Sequence, residues 1–274
     1  LIPQKSMKPL IELIFKFADD GSDINLSLSS FDLLWGVVRV MDDSIDNWSF
    51  LMSEVLRLIQ DRRNDVSQCA IRTFFSLMSS NFEQIPSEVI NVFVSSTFIK
   101  ILNSIDFKVS DERANDFELA LQEMSHYTST FWEKFERNPD FNKTFLPALI
   151  SKAELFCSTC NNQELVTNAF QFYEALFTCN TLDTTTETQL RDSLIKLARL
   201  YSQIEDVNSI IYSCYGRLIS VILATLITRN VINTLPSWFP LIRLIVTKMV
   251  SPIYVHITVQ RTLDVLPQFF PFDK

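Results

Sequence analysis

Apolar positions recur at three- and four-residue spacing along almost the whole chain, interrupted by short polar stretches. Such spacing turns one face of an α-helix toward a core. It predicts helices over about 8–18, 26–41, 48–60, 65–79, 86–104 and 110–138. Others follow over about 141–158, 163–177, 184–203, 208–228, 236–250 and 253–269. Start signals sharpen several of these. Asn64 is placed as an N-cap, Pro86 and Ser110 open helices, and Asp111 and Glu112 suit the first-turn dipole. Asn161 with Glu164, and Thr184 with Glu187, read as capping boxes. The polar turns between consecutive helices are short, so neighbours pack antiparallel.

Two helix pairs carry matching offsets. In the first, Val55 and Ile59 lie four apart and Asp61 ends the helix. Val66, Ala70, Phe74 and Leu77 then line one face of the next. In the second, Leu165, Ala169, Tyr173 and Leu176 repeat those offsets. Ala70 is expected where two helices touch most closely. A pair of this kind cannot bury its apolar face alone and must stack on neighbours. The expected fold is all-α: one α-solenoid segment over 1–274 of about six HEAT- or armadillo-like hairpins, best marked at 48–80 and 141–178. A globular helical bundle is the competing architecture.

Glycine usage narrows the chemistry. The chain has three, where average usage of about 7% would give roughly nineteen. Hairpin-rich sheets need more. No phosphate-cradling GxxxxGK[ST] or GxGxxG occurs, and no GxSxG nucleophile elbow. Gly36 and Gly216 fall in apolar helical windows and read as close helix contacts. The 23 Phe suit wide interhelical spaces. No charge-free apolar run is long enough for a membrane span. The missing initial Met and signal layout suggest a segment of something longer.

Charge is uneven. Residues 1–188 carry 15 Lys+Arg against 27 Asp+Glu, and residues 189–274 carry 9 against 5. The acidic part argues against nucleic-acid binding along the length. The basic part suits solvated charge, with an acidic partner or anionic membrane as the alternative. The five cysteines read as reduced, mostly buried thiols. Cys157 and Cys160 form a CxxC, but two further zinc ligands are missing, since His126 and His256 lack the spacing. Asp42, Asp43 and Asp46, and Asp19, Asp20 and Asp23, read as loop charge rather than metal ligands. Glu123 and His126 share a helix face but lack a nucleophile. No catalytic, cofactor or metal residue is assigned.

The stretch 55–77 resembles a HEAT repeat, with Asp61, Val66 and Ala70 at the family's positions and Ser67 where the pattern has Arg. Cys160 stands in the second pair where Asp is usual. A wider likeness runs through Phe31-Asp32-Leu33-Leu34-Trp35-Gly36, Trp48, then 61–66, Ala70 and Thr73-Phe74-Phe75-Ser76. This resembles the C-terminal half of the Golgi family named for monensin sensitivity, the Mon-two proteins. These are relatives of the large Arf exchange factors of the BIG and Sec-seven type. The resemblance implies a non-catalytic scaffold, peripheral on trans-Golgi and endosomal membranes. It also implies Dopey-family proteins, Arf-like GTPases and a phospholipid-flippase complex as partners. The exchange factors' catalytic loop is missing here. Another HEAT carrier, such as a nuclear transport receptor, and an α-helical enzyme are the alternatives. Trp238, Phe239 and Arg243, at a proline-flanked helix start, are the candidate partner-binding residues. Phe269, Phe270 and Phe272 suggest a surface meant for a further repeat.

Overall fold

The computed structural model describes residues 6–21, 23–93, 97–135, 141–178, 183–201 and 235–248, with isolated positions between 214 and 225. Every regular element among them is helical. The chain divides into two compact units, Leu1–Tyr127 and Thr128–Lys274.

The first unit opens with α1 (Met7–Ala18) and α2 (Ile24–Val38), then α3 (Ile45–Ile59) and α4 (Asn64–Ser80). In α1 the predicted spacing buries Met7, Ile11, Ile14, Phe15 and Ala18. In α3 it buries Trp48, Leu51, Met52, Val55, Leu58 and Ile59. Helix α1 packs on α2, and α3 on α4; across the pairs α1 lies on α3 and α2 on α4. Equivalent helices of successive hairpins therefore meet. The five marked residues of the first pair behave accordingly: Val66, Ala70, Phe74 and Leu77 are fully buried, and Asp61 sits in the turn.

Next come α5 (Ser87–Val92), α6 (Phe98–Ser104) and α7 (Asp111–Thr130). Phe74, Phe75 and Phe98 meet at ring-centroid distances of 5.1–6.2 Å. Tyr127 of α7 adds its ring 5.6 Å from Phe98, edge-on. Such edge-to-face contacts suit the ring quadrupoles and fill space that aliphatic side chains would leave open.

The second unit contains α8 (Trp132–Phe135), a wide helical turn over Phe141–Phe145, α9 (Leu146–Thr159), α10 (Gln163–Thr178), α11 (Thr184–Tyr201) and α12 (Leu235–Lys248). Pro147 in the first turn of α9 has no amide to return to the preceding turn, which accounts for the local widening. Helix α9 packs on α10 and α11, and α11 on α12. Leu165, Ala169, Tyr173 and Leu176 are buried, as their offsets require.

Several local expectations need correction. The run over 110–138 is not one helix: it breaks at Phe131, after Thr128, Ser129 and Thr130, three residues of low helix propensity. The run over 86–104 is helical as α5 and α6, with wide helical turns at Phe93 and Thr97, and positions 94–96 lie outside the described residues. Asn64 lies inside α4; the turn before it is closed by Asp61 Oδ1, which accepts from the Arg63 amide at 2.8 Å. The caps of α10 and α11 are Asn162 and Asp183, each one residue from Asn161 and Thr184. A Cβ placed on Gly36 meets nothing within 4 Å, so that glycine marks no close contact. Gly216, the predicted helix 253–269 and Phe269, Phe270 and Phe272 lie outside the described residues.

Candidate functional site

Two arginines tie the loop edge of the first unit. Arg63 follows Asp61 in the α3–α4 turn and donates to it from Nε (3.0 Å) and Nη2 (2.8 Å). Its Nη1 donates to Asp20 O and Ser27 Oγ, both at 2.8 Å, and Nη2 to Ala18 O at 3.0 Å. All five guanidinium hydrogens are thus engaged, three of them on the preceding hairpin. The ion pair holds the Asp61 carboxyl below its ordinary range.

Arg113, in the first turns of α7, repeats the device one step along. Its Nη2 donates to Asp61 O at 2.8 Å, and Nη1 to Asp116 Oδ2 (2.8 Å) and Ser67 Oγ (3.2 Å). Ser67 has Ile59 O at 2.8 Å and Asp116 Oδ2 at 3.1 Å as acceptors for its single proton. Ser67 stands where a HEAT pattern has Arg, yet arginines bridge the loops from positions 63 and 113 instead. The planar five-donor fork suits such bridging, which a lysine cannot copy. The Arg63 donors are saturated by the protein itself, and both terminal nitrogens of Arg113 are engaged, so the edge is a fastening rather than a ligand site.

The candidate partner-binding residues separate. Trp238 is 0% exposed: its ring lies edge-on to Phe177 at 5.1 Å, and Nε1 donates to Glu187 Oε1 at 3.0 Å. It is a core residue and leaves the docking set, because burial on the neighbouring helices occupies both its ring and its one donor. Phe239 is 54% exposed, and Arg243 is exposed. They lie four apart, so one outer face of α12 presents Pro236, Phe239, Pro240 and Arg243 in an unbroken stripe. Pro240 has no amide for the Pro236 carbonyl, leaving that acceptor on the same exposed face.

A second surface was missed from sequence. Between α3 and α5 runs an open groove of about 240 Å³. Its floor is Val89 and Phe93; Ile45, Leu56 and Val92 form the walls. The signal was present in α3, where Ile45, Ser49, Ser53 and Leu56 form an outward stripe. Only the packing of α5 beside it makes that stripe a groove.

Charged groups elsewhere form ordinary surface ion pairs, such as Arg57 with Asp19 and Glu54, and Lys196 with Glu154. Among the described residues no cluster of three or more His, Cys, Asp or Glu is arranged to hold a metal ion. Burial pushes the Cys157 thiol far up, and Cys160 Sγ faces Asn162 O at 3.8 Å. A thiol held protonated is a poor nucleophile. The Asp42 carboxylate organises its own turn, accepting from Ser44 N at 3.2 Å and Asn47 Nδ2 at 3.3 Å. Comparison of the sequence with known proteins finds no matching family model and no significantly similar curated protein.

Proposed function

We propose that this chain is a non-catalytic helical-repeat scaffold, an α-solenoid segment that binds other proteins through its outer surfaces. One observation carries the reading: in the first unit helices pack on the equivalent helices of the next hairpin, α1 on α3 and α2 on α4, and in the second α9 packs on α11. Hairpins stacked in this way hide their apolar faces in one another. What remains for function is exposed surface, and the α12 stripe centred on Phe239 and Arg243 is the proposed docking face. The likeness to Mon-two proteins supplies the proposed setting. That setting is the trans-Golgi and endosomal membrane, with Dopey-type proteins, Arf-like GTPases and a flippase complex as partners. The described helices include none long and apolar enough to cross a membrane, which is compatible with peripheral attachment.

Proximity labelling in cells tests the proposal. The parent chain is compared with a variant carrying Phe239→Glu and Arg243→Glu. The expected result is loss of Dopey-type and Arf-like neighbours in the variant. An unchanged neighbour list overturns the assignment of that face, and a parent list without any trafficking proteins overturns the setting.

A further inference from the structure

The α3–α5 groove has a chemistry of its own. It lies in the first unit and is independent of the α12 stripe. Two of its apolar walls are strongly exposed: Ile45 is 48% and Val92 55% accessible, over a floor of buried Val89 and Phe93. At about 240 Å³ it is smaller than the ~300–1,000 Å³ of a small-molecule site. It has room for one or two side chains of a larger partner. The Ser53 hydroxyl donates to Phe50 O at 2.8 Å within α3, so that wall offers little to a polar ligand.

Charge selects among apolar occupants. Glu88 lines the groove and is exposed, and Asp43 and Asp46 are exposed at the start of α3. None of the three is ion-paired among the described residues. No Lys or Arg lines the groove. The unit around it carries 11 Lys+Arg against 19 Asp+Glu, the whole net charge of −8. From this we infer that the groove takes a basic amphipathic helix of a partner protein. Two apolar side chains would be seated against Val89 and Phe93, with Lys or Arg on the flanks facing Glu88 and Asp46. Apolar anchors at helical spacing are the general mode for such grooves, and the acidic rim raises the encounter rate and sets the partner's sign. The inference deepens the scaffold reading by naming a partner class.

The test uses the full chain and a fluorescein-labelled helical peptide of about fifteen residues, with Leu at i, i+3, i+4 and i+7 and Lys elsewhere. A peptide with Glu in place of each Lys is the control for sign. Fluorescence anisotropy should show saturable binding of the Lys peptide and none of the Glu peptide. Val92→Lys and Ile45→Lys should each weaken binding about tenfold or more. Val109→Lys adds the same charge at a residue that is 72% exposed and outside the groove; it should change binding less than about twofold. Equal weakening by all three variants means diffuse attraction and overturns the inference, as does absence of binding. Proximity-labelling neighbours lost in the Phe239 and Arg243 variant should persist in Val92→Lys, so the two readings fail separately.

Discussion

The two units solve one packing problem with different chemistry. Residues 1–127 hold all the net charge and fasten successive hairpins with arginine forks on carboxylates and loop carbonyls. Residues 128–274 carry 13 basic and 13 acidic side chains. There the described buried ties are largely neutral. Tyr201 Oη donates to Cys157 O, Tyr173 Oη and Ser193 Oγ lie 3.1 Å apart, and Phe135, Phe141 and Phe145 stack with Trp132 edge-on to Phe141. A charged fastening is strong while complete, but loss of one partner strands the other; a neutral pair loses about one hydrogen bond. The first unit should therefore be brittle to single substitutions and to pH, and the second tolerant.

The largest expected effect is from Arg63→Leu. It strips the Asp61 carboxylate of its guanidinium partner, leaving only the residue-63 amide on Oδ1, and takes one donor each from the carbonyls of Ala18 and Asp20. Chemical denaturation should show a loss of about 3 kcal/mol. Arg63→Lys should recover little of it, since an ammonium cannot span both loops. A loss below about 0.5 kcal/mol would place this arginine among ordinary surface ion pairs and erase the contrast.

Glu118 of α7 gives the pH arm of the comparison. Burial raises its pKa from 4.5 to about 7. The folded chain thus holds a proton that the unfolded chain releases. The stabilising contribution is complete below pH 4.5 and is lost as pH rises through about 7. Glu118→Gln should match the parent at pH 4.5 and exceed it by about 2 kcal/mol near pH 8. A parallel pair of stability curves would mean that Glu118 is solvated.

For the second unit, Tyr173→Phe removes one buried hydroxyl facing Ser193 and should cost about 1 kcal/mol, independent of salt. A loss as large as that of Arg63→Leu would remove the distinction between the units. The smallest effect is a gain. Gly36→Ala in α2 should stabilise by about 0.7 kcal/mol, because the added methyl meets no neighbour and the unfolded chain loses freedom.

These cases also divide what the sequence discloses from what it hides. The spacing of Val66, Ala70, Phe74 and Leu77 is a local property, and local periodicity located the helices and their buried faces. Helix ends turned on competition between adjacent polar residues: Asp61 against Asn64, Asn162 against Asn161, Asp183 against Thr184. Pattern alone does not rank such neighbours. Arg63 and Arg113 reach carbonyls of a preceding hairpin, and carbonyls have no residue identity to read. Trp238 and Phe239 are adjacent in sequence, yet a helix points them to opposite environments. The groove needed α5 beside α3, a tertiary fact.

Hydrogen exchange followed by mass spectrometry on the Arg63→Leu chain is the most direct trial of hairpin-to-hairpin support. Peptides from α1 and α2 should exchange about tenfold faster, although the substitution lies in the α3–α4 turn, while those from α11 keep the parent's rates. Faster exchange confined to α4, or spread evenly over every helix, would contradict stacked hairpins that stabilise their neighbours.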